Sequence, residues 1–275
     1  MKTILVPVDF SEVSHNASKF AAALAEKAGD TRLLLYNMFE SYLPGSDSSP
    51  LFEDIEDRRN IRLAALNNIR KELLSITSVP IECKADDGTS LSHNIKKIIV
   101  NEMADLVVMG ITGSTRLEQI LVGSNTLNLI RSAQCPILVI PPHAIFGHFK
   151  KVVMAVDLES EIDTLPKKRI EAMLKLFPAE LHIVYVNPYA GAGLDAEQEF
   201  ERKELETWLA PYRPQFHSLV QKNFVKALNK FVIDNDIDLL LTVPHKISYV
   251  ADLFTHTHSE RLGYHSKVPF IAVHE

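Results

Sequence analysis

Apolar residues in this chain fall into short runs separated by polar segments, never into long spans. The first run, Lys2-Thr-Ile-Leu-Val-Pro-Val-Asp9, is β-branched and aliphatic and ends on a carboxylate. Similar strand-like runs follow near 32–37, 80–85, 105–109 and 137–141. Between them apolar positions recur at helical spacing, as at Ala17, Phe20, Ala21, Leu24 and Ala25, with Ser11 placed to cap that helix. The order is βαβαβαβαβ. Continuous apolar strands suit a parallel sheet covered on both faces, and right-handed crossovers supply helices to both. Such sheets take ligands outside the strand carboxyl ends, where strand order reverses.

The plan then repeats. Residues 2–9 align without gaps on Lys150-Lys-Val-Val-Met-Ala-Val-Asp157, and Leu33-Leu-Leu-Tyr-Asn37 aligns on Ile183-Val-Tyr-Val-Asn187. Ala104–Val108 falls on Ile237–Leu241, and Cys135–Ile140 on Val268–Val273. Pro141-Pro142-His143 to Phe149 reads as the connection, because paired prolines end a strand and cannot continue a helix. The expectation is two tandem doubly wound α/β domains, 1–142 and 150–275, each a five-stranded parallel sheet. A short link predicts that they pack together as an internal pseudo-dimer.

Composition narrows the classes without choosing one. With 275 residues, 46% hydrophobic and 23% charged, the chain can bury two cores. A net charge of −6 gives no global attraction for nucleic acid or an anionic membrane, so neither is expected as a partner. The longest apolar runs are far below the roughly 20 residues that a membrane helix needs. Cys83 and Cys135 stand among apolar neighbours and read as packing residues of a reducing compartment, and no signal-like segment opens the chain. A cytoplasmic location is the expectation.

Local chemistry concentrates after the fourth strand. Gly110-Ile-Thr-Gly113-Ser114-Thr-Arg-Leu-Glu-Gln-Ile-Leu-Val-Gly123-Ser124 carries three of the chain's ten glycines in the pattern G-x2-G-x9-G-S. A helix follows, with apolar positions 127, 130 and 133. A loop from strand to helix N-terminus gathers unpaired amides and the positive end of the helix dipole, and glycines let the backbone approach an anion. Gly110 is expected to let the chain turn sharply off the strand. Amides at Gly113 and Ser114 would form one side of a phosphate nest, and those at Gly123, Ser124 and Asn125 the other. Neither a Gly-Lys-Ser/Thr loop nor a G-x-G-x-x-G fingerprint is present. Asp9 alone reads as a turn or capping aspartate in preference to a ribose contact or an indirect metal ligand.

Taken together, the opening Ile4-Leu5-Val6-Pro7-Val8-Asp9-Phe10-Ser11, the Asp105–Gly110 run, the G-x2-G-x9-G-S loop and the closing Cys135–Ile140 resemble the universal stress protein family. The resemblance covers both halves and implies a tandem member with Rossmann-like domains of the adenine nucleotide alpha hydrolase type. It implies ATP or AMP as ligand, with magnesium or manganese on the phosphates. The implied contacts are Pro7, Val8 and Asp9, then Asn37 or Met38 by backbone, then Gly110, Gly113, Ser114, Gly123, Ser124 and Asn125. It also implies a nucleotide-dependent sensor or regulator of a stress response, with an unidentified protein partner and pairing through last strands. Homodimers of the whole chain are left open.

The second half departs at the decisive place. Val243, Lys246, His256 and Thr257 stand where the first half has Gly110, Gly113, Gly123 and Ser124. One nucleotide per chain is therefore expected, in the first domain. The degenerate segment gathers His245, His256, His258 and His265, which raises zinc, but spacings of eleven, two and seven match no zinc signature and cysteine partners are lacking. Filling of the lost nucleotide space is the preferred reading. The charged run Glu53–Arg62 reads as a solvated helix face, and Tyr42–Pro50 and Tyr189–Leu194 as surface loops. Around the glycine loop only Asp9, Asp86, Asp87 and Arg116 offer charge for catalysis. That is thin for an ATPase, so slow hydrolysis is the alternative function, beside a non-nucleotide interaction module.

Overall fold

The computed structural model describes residues 1–40, 55–111, 124–156, 158, 162–187, 193–220, 224–243 and 268–273. They divide into two compact units, the first built mainly on residues before Gly147 and the second mainly on those after Phe146.

In the first unit, β1 (Thr3–Pro7), α1 (Glu12–Ala28), β2 (Arg32–Phe39), α2 (Ile55–Leu73), β3 (Ile81–Asp87), α3 (Leu91–Asn101), β4 (Leu106–Gly110), α4 (Ser124–Ser132) and β5 (Ile137–Ile140) alternate along the chain. The strands are parallel and lie in the order β3-β2-β1-β4-β5. Order therefore reverses between β1 and β4, where crossovers change face. α1 packs against α2 on one face, and Asn94 of α3 reaches the Tyr36 hydroxyl at 3.1 Å from the other. Ile4, Leu5, Val6, Leu33, Leu35, Leu106, Val107 and Val108 are fully buried, which is why these strands read as unbroken apolar runs.

Local signals set the boundaries. Ser11 caps α1 by accepting from Ser14 N, and Gly29 ends it at φ 73° with its N–H on Ala25 O. That left-handed position favours glycine. Ser90 caps α3 in the same manner as Ser11, through His93 N.

The second unit contains β6 (Lys151–Ala155), α5 (Lys167–Leu176), β7 (Glu180–Asn187), α6 (Ala196–Leu209), β8 (Gln215–Val220), α7 (Phe224–Asp234), β9 (Leu239–Thr242) and β10 (Phe270–Ala272). Its parallel strands run β8-β7-β6-β9-β10, the order of the first unit repeated. The repetition extends to polar detail. Asp105 Oδ2 accepts from Lys2 N and Thr3 N at 2.6 and 3.1 Å, and Asp238 Oδ2 accepts from Lys150 N and Lys151 N at 2.7 and 2.9 Å. Among the described residues no helix is long and apolar enough to cross a membrane.

Candidate functional site

The carboxyl ends of β1, β2 and β4 form a mouth in the first unit because β1 loses both neighbours within three residues. Its pairing with β4 stops at Leu5–Val107. The next β1 amide aimed at β4 belongs to Pro7, which has no N–H to give. Pairing with β2 continues one step further, with Val8 N donating to Tyr36 O at 2.7 Å. There it ends. The Val8 carbonyl takes the Asn37 Nδ2 at 2.7 Å instead, and among the described residues Met38 makes no backbone bond to Val8 or Phe10. The Met38 N–H and C=O are left facing the gap that β1 vacates.

Asn37 is 5% exposed, and its Oδ1 is sealed without a hydrogen-bond partner among the described residues. Since a carbonyl can only accept, the bond to Val8 O fixes which end of the amide is nitrogen. A buried acceptor left unpaired is unfavourable by about 1–3 kcal/mol.

Asp9 follows directly. Its Oδ1 accepts from Ser11 N at 3.0 Å and from Ser11 Oγ at 2.6 Å, while its own N–H reaches Ser14 Oγ at 3.3 Å. Burial pushes the carboxyl up, but the bonds from Ser11 and Ser14 outweigh it and hold the group below its ordinary value. Asp9 is thus a carboxylate anchored by Ser11 and Ser14 at the end of β1. Phe10 takes a left-handed φ of 66°, an uncommon conformation for a bulky side chain. The turn is held by the Asp9–Ser11–Ser14 network on either side of it.

Gly110 ends β4, and its role differs from the sharp turn expected from sequence. It has no positive φ. A Cβ there would lie 2.6 Å from Val13 Cγ1 and 2.8 Å from the Val13 carbonyl oxygen. The glycine is required because the first turn of α1 crosses the end of β4 at backbone distance. α4 begins at Ser124, so Ser124 and Asn125 contribute first-turn amides, which have no partner within a helix. Gly113, Ser114, Arg116 and Gly123 lie outside the described residues, as do His245, His256, His258 and His265. Among the described residues no three His, Cys, Asp or Glu side chains gather as a metal cage.

The charged run before Arg62 is more than a solvated face. The first turns of α2 lie over the carboxyl ends of β2 and β3. Arg58 Nη1 donates to Glu40 O at 3.1 Å, Arg59 Nη2 stands 3.9 Å from Asp87 Oδ1, and the Arg62 guanidinium sits 5.8 Å from the Phe10 ring centroid. Sequence reasoning missed this basic side, since an arginine-rich helix start gives no sign of which strand ends it will cover. Behind it, burial pushes the Tyr36 hydroxyl up to about 12, so it remains a neutral phenol for Asn94.

A parallel sheet with this strand order, a helix-capped carboxylate after β1 and a glycine-requiring end of β4 defines a doubly wound α/β protein with its ligand mouth at the switch point. The universal stress protein family model matches residues 1–141, and the chain belongs to that family. It is 31% identical over 139 residues, half of this chain and 98% of the other, to the universal stress protein in the QAH/OAS sulfhydrylase 3' region of Thermus aquaticus. A universal stress protein of Methanocaldococcus jannaschii is 31% identical over 140 residues, covering 50% of this chain and 81% of that one. Among solved structures, a universal stress protein from Archaeoglobus fulgidus aligns over 99% of this chain and 98% of its own, at a TM-score of 0.71 and 17% identity. That likeness is one of fold.

Proposed function

We propose that the first unit binds one adenine nucleotide, ATP or AMP, and that the chain acts as a nucleotide-dependent sensor or regulator in a stress response. The observation that carries this reading is the mouth itself. An open peptide edge at Met38, an anchored carboxylate at Asp9 and, on the helix that follows β4 in the chain, an N-terminus at Ser124 are three different chemistries on the elements of the switch point. They match the three parts of a nucleotide. Adenine presents an acceptor beside a donor, ribose presents hydroxyls that a carboxylate accepts, and phosphates suit free amides and a helix dipole. Pro7 and Val8 belong to the proposal through their place at the end of β1. Gly113, Ser114 and Gly123 belong to the proposal through their spacing. Magnesium or manganese would ride mainly on phosphate oxygens, with the Asp9 carboxylate as a protein group of suitable chemistry.

In the second unit Val243 and the histidine segment replace the glycines, so the proposal is one nucleotide per chain. Protein pairing and a cytoplasmic location belong to the same reading. Mass spectrometry of ligand retained through native purification tests it. Adenine nucleotide at one per chain is expected from the natural sequence, and none from Gly113→Lys. Equal retention by both, or no gain in melting temperature with ATP or AMP, would refute it. A high proportion of ADP that accumulates with time would favour slow hydrolysis.

A further inference from the structure

Asn37 occupies a place where an aliphatic residue would pack without loss. It is buried on β2 beside fully buried leucines, and its Oδ1 is sealed with no partner among the described residues. A leucine of similar size would remove that unpaired acceptor. What leucine could not do is donate to Val8 O, the one bond the amide makes, at 2.7 Å.

That bond has a consequence for the neighbouring peptide. Even-numbered residues of β2 direct both backbone groups toward β1, as Arg32 N to Lys2 O and Val8 N to Tyr36 O show. Continuing the alternation, Met38 N–H would go to Val8 O and Met38 C=O would take Phe10 N–H. Neither bond forms. Asn37 has claimed the Val8 carbonyl, and the left-handed turn at Phe10 carries the following amide away. Met38 therefore presents an N–H and a C=O side by side, in the strand plane, at the mouth. A 6-aminopurine offers the matching pair: N1 accepts and the 6-amino group donates. A 6-oxopurine offers the reverse, a donor at N1 and an acceptor at position 6, and would set like against like at both places.

We propose that Asn37 is a positioning residue that sets selectivity for 6-aminopurine nucleotides, by holding Val8 O out of the β1–β2 ladder so that the Met38 peptide edge stays open. The selectivity rests on the nucleotide reading above. The opening of the ladder does not.

The test uses the full chain and Asn37→Leu, with Asn37→Ser as a smaller change should the leucine variant fold poorly, each checked by circular dichroism. Amide hydrogen exchange is measured at Met38 without nucleotide, and binding is measured for ATP and for ITP. In the natural sequence Met38 is expected to exchange far faster than Tyr36, and ATP to bind about tenfold or more tightly than ITP. In the variants the ladder closes by Met38 N–H to Val8 O. Met38 exchange should then fall by about tenfold or more, and the ATP-to-ITP ratio should collapse toward one. Slow Met38 exchange in the natural protein, or exchange unchanged by the substitutions, overturns the positioning role. Binding with an unchanged ATP-to-ITP ratio overturns the selectivity. If the natural protein binds neither nucleotide, the nucleotide reading falls and the selectivity with it, while the exchange data still decide whether Asn37 opens the ladder.

Discussion

His182 Nδ1 lies 3.0 Å from His217 Nε2, two imidazoles stacked across neighbouring strands of the second unit and covered by the Phe231 ring. One N–H must donate and one lone pair must accept. Doubly protonated, the pair would face N–H against N–H.

This pair makes the second unit acid-sensitive. Burial lowers the proton affinity of both rings; for His182, Glu180 opposes that effect while His217 and Lys151 add to it. Glu180 Oε1 is 3.8 Å from His182 Nε2, too far for a hydrogen bond. With folded values below the ordinary 6.5, the unfolded chain binds more protons at acidic pH. The stabilisation is therefore complete above about 6.5 and is lost as pH falls from there through the folded values. Melting temperature should drop between pH 7.5 and 5.5, and the double variant His182→Phe with His217→Phe should drop less. Parallel pH profiles would contradict this account.

Gly110→Ala should destabilise the first unit by about 1–3 kcal/mol, because the added methyl meets not only Val13 Cγ1 but also the Val13 carbonyl, and the backbone cannot swing aside. Relief requires the first turn of α1 to move. Chemical denaturation reads the loss. Gly147→Ala, where nothing lies within 4 Å of the new carbon, is the control that should change little.

The twin contacts of Asp105 and Asp238 should be matched in energy. Each carboxylate ties two consecutive amides at the start of its unit's first strand. Either residue changed to alanine should reduce stability by roughly 1–2 kcal/mol. The two losses should add in the double variant, since they belong to separate units. Thermal unfolding measures both. A change in only one would show that the repeated hydrogen bonds are not repeated in strength.

The strands were legible because a central parallel strand leaves no polar face. Residues 105–109 and 137–141 read directly as buried runs, and the observed β4 and β5 fall at 106–110 and 137–140. Asp9 was legible as a carboxylate at a strand end, but its anchoring by Ser11 and Ser14 was not, since a serine after an aspartate signals only a cap. Gly110 stood out as a glycine, yet its reason lies in Val13, nearly a hundred residues earlier in the chain. Asn37 was named through the family resemblance as a backbone contact, but nothing in the sequence showed that its side chain takes the Val8 carbonyl. The arginines of α2 read as solvated because helical periodicity alone does not tell which strand ends a helix will cover.

Sequence by itself determined the repeated βα order, the family, the carboxylate Asp9 that follows the first strand, and the loss of glycines in the second half. These follow from periodicity and from residue types whose backbone demands are local. Tertiary structure alone decided that Pro7 and Asn37 part β1 from both neighbours, that the Met38 peptide is left open on the β1 side, and that Gly110 yields to Val13. Those facts depend on which backbone groups come within hydrogen-bond or van der Waals reach, and reach is set by the packing of distant segments.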